Sequence, residues 1–294
     1  MLILAHNAIK AIGRIAFRVG MRLPMVLFLT SVLVCIAPGF DSDERQIDAR
    51  LSTESIQSLR QLRAQNRNPL TAFIQFVGGA VQGDLGYSST FNRPVWELLS
   101  ERYPATFRAV GVGAFTGWAV AVLLASCVTL FPGFALRGSS TSIAGLLLCV
   151  PSALLGFMAI VLQSSVASAM SCVVFSRLFL QMNTLFDKAS AQPHVMAAEA
   201  MGLTRRALFR WHIAGPSTPQ MIVLGASSIS IALGAAVPLE VICDSPGLGQ
   251  LAWKATLGRD LSVLLGVTLI IAALNSVAAA TTDIANKVLR EQAS

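Results

Sequence analysis

Charge is scarce in this 294-residue chain, with Asp, Glu, Lys and Arg making up 13% of it. A soluble domain carries about 25%, so the shortage argues against a water-soluble globule. The three histidines, His6, His194 and His212, have no acid or cysteine neighbours that would complete a metal cage. The five cysteines, Cys35, Cys127, Cys149, Cys172 and Cys243, share no ligand-like spacing, so neither a zinc site nor a disulfide framework is expected. They read as small apolar fillers. No Gly-x-x-x-x-Gly-Lys-Ser/Thr occurs, which excludes a P-loop grip on nucleotide phosphates. His-Glu-x-x-His and Gly-x-Ser-x-Gly are also missing. No catalytic residue, bound cofactor, metal or nucleic-acid partner is therefore expected.

What remains is apolar: 54% of the chain is hydrophobic, at a mean hydropathy of +0.65. Roughly 20 apolar residues cross a bilayer core, and uncharged runs of that order cover residues 109–131, 215–239 and 261–282. Residues 141–186 form a longer stretch broken only by Arg177. As one helix it would measure about 69 Å at 1.5 Å per residue, twice what a membrane needs. It is expected to be two helices turning near Gln163-Ser164-Ser165. A first span over residues 23–38, extended back over Arg18 and Arg22, brings the total to six. The expected fold class is an all-α membrane protein with six transmembrane helices.

Orientation follows from lysine and arginine. With the N-terminus inside, the cytoplasmic pieces hold Lys10, Arg14, Arg18, Arg22, Arg137, Lys188, Arg205, Arg206, Arg210, Lys287 and Arg290 against Asp187, Glu199, Asp283 and Glu291. Their balance equals the formal net charge of the whole chain, +7. Both termini are therefore expected in the cytoplasm. The basic start is long, no small-residue cleavage site follows its apolar run, and Pro38-Gly39 ends that run, so it reads as a retained anchor. Lys10, Arg14, Arg18 and Arg22 recur every four residues and would stripe one helical face against lipid headgroups.

The polar segment, residues 41–104, begins as a charged helical stretch (43–67) and turns apolar at 70–81. Gly83-Asp84-Leu85-Gly86 is a turn signal, because Asp84 can bond its own backbone. Arg93-Pro94 opens an amphipathic helix with proline in its first turn, and Pro104 marks the start of the second span. Pro151 and Pro238 lie within the third and fifth spans, where proline frees a carbonyl and bends the rod. Arg177 is the one charge well inside a span. It reads equally as part of a pathway or as a residue snorkelling to the inner surface.

Residues 197–216 carry the most information. Ala197, Ala198 and Ala200 are small and helix-favouring, Gly202 suits a helix C-terminus, and Thr204 can cap the next helix. Arg205, Arg206 and Arg210 keep that helix in water. An interfacial helix lying on lipid is one reading. A surface gripped by another protein is the other, and it fits a six-span pore that has no energy source of its own.

The loop resembles the EAA motif of permease subunits of bacterial ABC importers of the oligopeptide, dipeptide and nickel type. Ala198, Ala200, Gly202, Arg206, His212 and Pro216 stand at matching offsets, with Ala197, Glu199 and Arg205 beside them. Gly83, Asp84 and Gly86, followed by Arg93-Pro94-Val95 and Arg102-Tyr103-Pro104-Ala105-Thr106, resemble that family's approach to its second span. Pro246-Gly247-Leu248-Gly249 with Arg259-Asp260 resembles its segment before the last span, and Ala37-Pro38-Gly39 its first-span end. Met196 stands where the motif's name-giving Glu would fall. Asn183 and Asp187 replace basic residues usual at the end of the fourth span, and the link between the third and fourth spans is short.

The resemblance implies a domain layout of residues 1–40 (tail and first helix), 41–104 (extracytoplasmic segment) and 105–294 (permease core), with a coupling loop at 189–216. It implies a second homologous permease, two ATP-binding subunits that hydrolyse the ATP, and an extracytoplasmic solute-binding protein. The solute would be a peptide, or nickel in a chelate. Two rival readings are an ion-coupled carrier, disfavoured by the near absence of acids in the spans, and a membrane scaffold that moves nothing.

Overall fold

The computed structural model describes residues 21, 23–33, 69–131 and 133–293. The basic stripe at Lys10, Arg14, Arg18 and Arg22, the turn Ala37-Pro38-Gly39, the charged stretch 43–67, His6 and Cys35 lie outside the described residues.

The helices are α1 (Leu23–Leu33), α2 (Pro69–Val81), α3 (Val95–Leu130), α4 (Phe134–Cys149), α5 (Ser152–Val161), α6 (Val166–Ser190), α7 (Pro193–Ala200), α8 (Arg205–Ala207), α9 (Gly215–Ile242), α10 (Leu248–Leu257) and α11 (Leu261–Ala293). A π-helical segment, Leu208–Ala214, joins α8 to α9. Two short strands, β1 (Tyr87–Ser88) and β2 (Arg93–Pro94), pair antiparallel before α3. Among the described residues four helical runs are long and apolar enough to cross a membrane: Val95–Leu130, Val166–Ser190, Arg205–Ile242 and Leu261–Asp283.

The expected third span is a broken pair: α4 and α5 meet at 103°. Proline supplies the reason, since it forces the preceding residue out of the helical region. Val150, before Pro151, sits at φ −76° and ψ 122°. The expected turn at residues 163–165 is present, with Gln163 in the left-handed region at φ 50° and Ser165 capping α6 by accepting from the Ser168 N–H. One proline expectation changes: Pro94 precedes its helix instead of lying in its first turn. Pro104 lies inside α3, which begins at Val95. Pro238 is likewise carried inside α9.

The chain folds as two compact units. One takes residues up to 103 together with 250–276. Its core joins Leu27, Phe76 and Leu265, with Phe73, Val77 and Leu269 against them; the Phe28 and Phe73 rings meet edge-on at 5.6 Å. The other unit takes residues 104–249 and 277–294. Its hub is α6, whose Met170, Val174, Leu178, Phe179, Met182 and Phe186 are fully buried. α4, α5 and α9 all lie against this helix.

Candidate functional site

The residues singled out in sequence form an exposed helical loop and two groups of tight turns. The loop begins with α7, whose Val195 and Ala198 are buried while Met196, Ala197, Glu199 and Ala200 are exposed. Ala198 therefore anchors the helix instead of facing a partner. Gly202 follows at φ +81°, the left-handed conformation that ends helices and favours glycine. Its N–H bonds the Glu199 carbonyl at 2.9 Å, and the Leu203 N–H bonds that of Ala198. Thr204 Oγ1 then accepts from the Ala207 N–H at 3.4 Å and starts the next helix. Arg205, Arg206 and Arg210 are exposed, and the Arg210 guanidinium lies 5.3 Å from the Trp211 ring centre.

The π-helical segment, at whose end the Gly215 N–H bonds the Arg210 carbonyl, runs into Pro216. Pro216 has no N–H to give the carbonyl of His212, four residues earlier. His194, on α7, brings its Nε2 within 3.3 Å of that carbonyl oxygen. One side chain thus ties the short helix α7 to the π segment that leads into α9. Phe209 of the π segment meets Phe186 of α6 edge-on at 5.5 Å, a second tie. Sequence reading picked out His212 and Pro216 but missed His194. The usable signal was a proline four residues after a carbonyl with a hydrogen-bond donor elsewhere in the same loop.

The first group of turns lies in the unit of residues 1–103 and 250–276. Asp84 Oδ1 accepts from the Gly86 N–H at 2.8 Å, the local bond its sequence promised. Gly83 and Gly86 both take φ +82°. Asp260, only 2% exposed, does two jobs. Its Oδ2 accepts from Ser88 Oγ at 2.6 Å and from the Thr90 N–H at 3.0 Å. Its Oδ1 accepts from the Val263 N–H and caps α11. Arg259, at φ +54°, turns the chain between α10 and that cap. Arg102 Nη1 donates to Gln250 Oε1 at 2.9 Å, and Arg93 pairs on the surface with Glu97 and Glu101.

The second group lies in the unit of residues 104–249 and 277–294, around Glu240. This carboxylate sits in the last turns of α9 at 1% exposure, and sequence reading missed it because it falls one residue beyond the uncharged run. Its Oε2 accepts from the Gly249 N–H at 2.7 Å. A Cβ at Gly247 would fall 2.1 Å from that oxygen, and one at Gly249 would fall 2.6 Å from the Val237 Cα. The glycines are there because the backbone rides directly on the helix. Thr106 Oγ1 accepts from the Leu248 N–H at 2.8 Å, while Pro246 stays exposed. Among the described residues no group of three or more His, Cys, Asp or Glu could hold a metal.

Long apolar helices together with a capped, exposed elbow define the class of a polytopic membrane permease. The chain belongs to the family of binding-protein-dependent transport system inner membrane components, whose description matches residues 117–291. It is an inner-membrane permease subunit of an ABC importer. The match contains the loop of residues 189–216 and the turns from Pro246 to Asp260, but not Gly83–Gly86 or Pro104.

Full-length relatives agree. A Brucella suis biovar 1 protein named as a peptide permease is 26% identical over 94% of this chain and 96% of its own length. A Brucella ovis protein of the same name shares 26% over the same fractions. A Brucella abortus protein named as a peptide transport system permease shares 22% over 86% and 89%. Membership of this family implies an ATPase and a binding protein as partners.

Proposed function

We propose that this chain is one half of the membrane pathway for peptides, paired with a second, homologous permease. In this reading it crosses the membrane six times with both termini in the cytoplasm. Two ATP-binding subunits dock on the loops of the two permeases, and a binding protein delivers solute to the outer face. ATP is bound and hydrolysed by those partners, and this chain contributes no bond chemistry. The peptide assignment leans on the names of the relatives from Brucella.

The observation that carries the coupling role is the elbow at Gly202. A left-handed glycine fixes the angle between α7 and α8, and Met196 (63%) within α7 and Met201 (74%) just past its end are exposed. Exposed methionines are adaptable apolar knobs for a partner's cleft. Met196, in the place of the motif's glutamate, is thus an apolar contact where a charged one is usual. A push on α7 reaches α9 through His194 and the His212 carbonyl and α6 through Phe209 and Phe186.

Vesicles reconstituted with both permeases, the ATPases and the binding protein test this reading. They should take up peptide only with ATP, and Gly202→Leu or Met201→Asp should stop uptake and release the ATPases. Full ATP-driven uptake by Gly202→Leu would remove the elbow assignment.

A further inference from the structure

Helix α6 differs from every other candidate span in what it shows to its surroundings. Its exposed residues are Arg177, Gln181, Thr184, Asp187 and Lys188, and none of its large apolar side chains is exposed. By contrast α3 exposes Phe107, Phe115 and Leu123, and α9 exposes Ile222 and Ile229, as helices facing lipid do. At 3.6 residues per turn, Arg177, Gln181, Thr184 and Lys188 fall within an arc of about 60°. Asp187 lies to one side and is paired with Arg137.

Arg177 is central along this 25-residue helix, with the two ends about 17 and 20 Å away at 1.5 Å per residue. A side chain that snorkels gains several ångströms, which is short of either end. The geometry therefore disfavours the snorkelling alternative that the sequence left open. A cation at the membrane centre is costly against lipid and so faces water, a ligand or an anion. The ion pairs among the described residues do not include Arg177.

The same arc is closed in the other half of α6. There Met170 and Val174 are fully buried, because Gly113 and Gly117 of α3 bring its backbone against them. The polar stripe begins where that crossing ends and runs to the end of α6 that leads into the docking helix.

We propose that this stripe lines the solute path on the side of the docking loop, and that Arg177 binds an anionic group of the solute, the carboxylate of a peptide. The carboxylate rests on the peptide reading above; the lining rests on α6 alone.

The test uses the complete transporter in vesicles, with Gln181→Cys and Thr184→Cys treated by a membrane-impermeant thiosulfonate on the docking-loop side. Mass spectrometry should find adducts at residues 181 and 184 and none at a Leu123→Cys control. No adduct at 181 or 184, with or without ATP, would mean that the stripe is covered by protein or lipid and would overturn the lining. With tri-alanine as probe, Arg177→Gln should raise KM about tenfold, the loss of one charge-assisted hydrogen bond. Arg177→Lys should restore most of it. An unchanged KM in Arg177→Gln would overturn the carboxylate role. Wild-type vesicles without ATP-driven tri-alanine uptake would overturn the peptide reading and the carboxylate role together, while the adducts still decide the lining.

Discussion

At Gly202 the backbone, and not the space around it, requires glycine. A Cβ there would meet nothing within 4 Å, yet φ is +81°. Alanine should cost about 1–2 kcal/mol through the left-handed penalty, and asparagine, which visits that region, less. ATPase affinity measured for Gly202→Ala and Gly202→Asn should rank in that order, with asparagine nearer wild type. Gly247 is the opposite case, because its backbone conformation is ordinary and its space is filled by the Glu240 carboxylate. Gly247→Ala should lose about 1–3 kcal/mol from overpacking, seen as a lower melting temperature in detergent. The Glu240→Ala/Gly247→Ala pair should recover part of that loss, since contacting sites are not additive. His194 acts through a single bond worth about 1 kcal/mol. His194→Phe should lower solute moved per ATP hydrolysed, and His194→Gln, which still donates, should lower it less.

Between elements, close approach of backbones decides the packing, as expected where apolar helices meet without a hydrophobic drive in lipid. Gly117 of α3 would place a Cβ 2.8 Å from the Ser171 carbonyl and the Val174 Cβ, whereas Gly111 faces open space. Gly117→Leu should therefore sit at the top of the overpacking range, about 3 kcal/mol, and deplete folded permease in membranes. Gly111→Leu should leave its amount unchanged, as an immunoblot of solubilised membranes would show. Trp118 adds a second constraint on α3 by donating to the Met221 carbonyl at 3.1 Å, with Gly225 making room for its ring. These glycines looked alike in sequence. Only the helix crossing separates Gly117, held against α6, from Gly111, six residues earlier.

For the whole molecule, orientation is the open quantity that the charges predict. A cysteine at Met201 should react with an impermeant thiol reagent only from the cytoplasmic side, and one at Ser89 only from the opposite side. The reverse pattern would invert the topology and place the docking loop away from its ATPases. Much of the candidate site was legible as residue types. Uncharged runs marked the long helices, because burying apolar length in lipid needs no knowledge of neighbours. The Asp84 turn, the Gly202 helix end and the Thr204 cap were legible for a similar reason, since each is closed by bonds within a few residues.

The break at Pro151 was legible as a position but not as an angle, because 103° depends on what α4 and α5 meet. Asp260 was legible as part of a motif, but not as the clasp for Ser88 and Thr90, some 170 positions away in the chain. His194 and Glu240 were not legible at all, since their partners are a carbonyl freed by a proline and a turn beyond the helix end. The chain's own order of residues thus settles what is local: apolar length, charge balance, caps and turns. That Arg177 lies on an exposed polar stripe of α6 came from the fold. Which face of a helix stays open depends on the neighbours that cover the other faces.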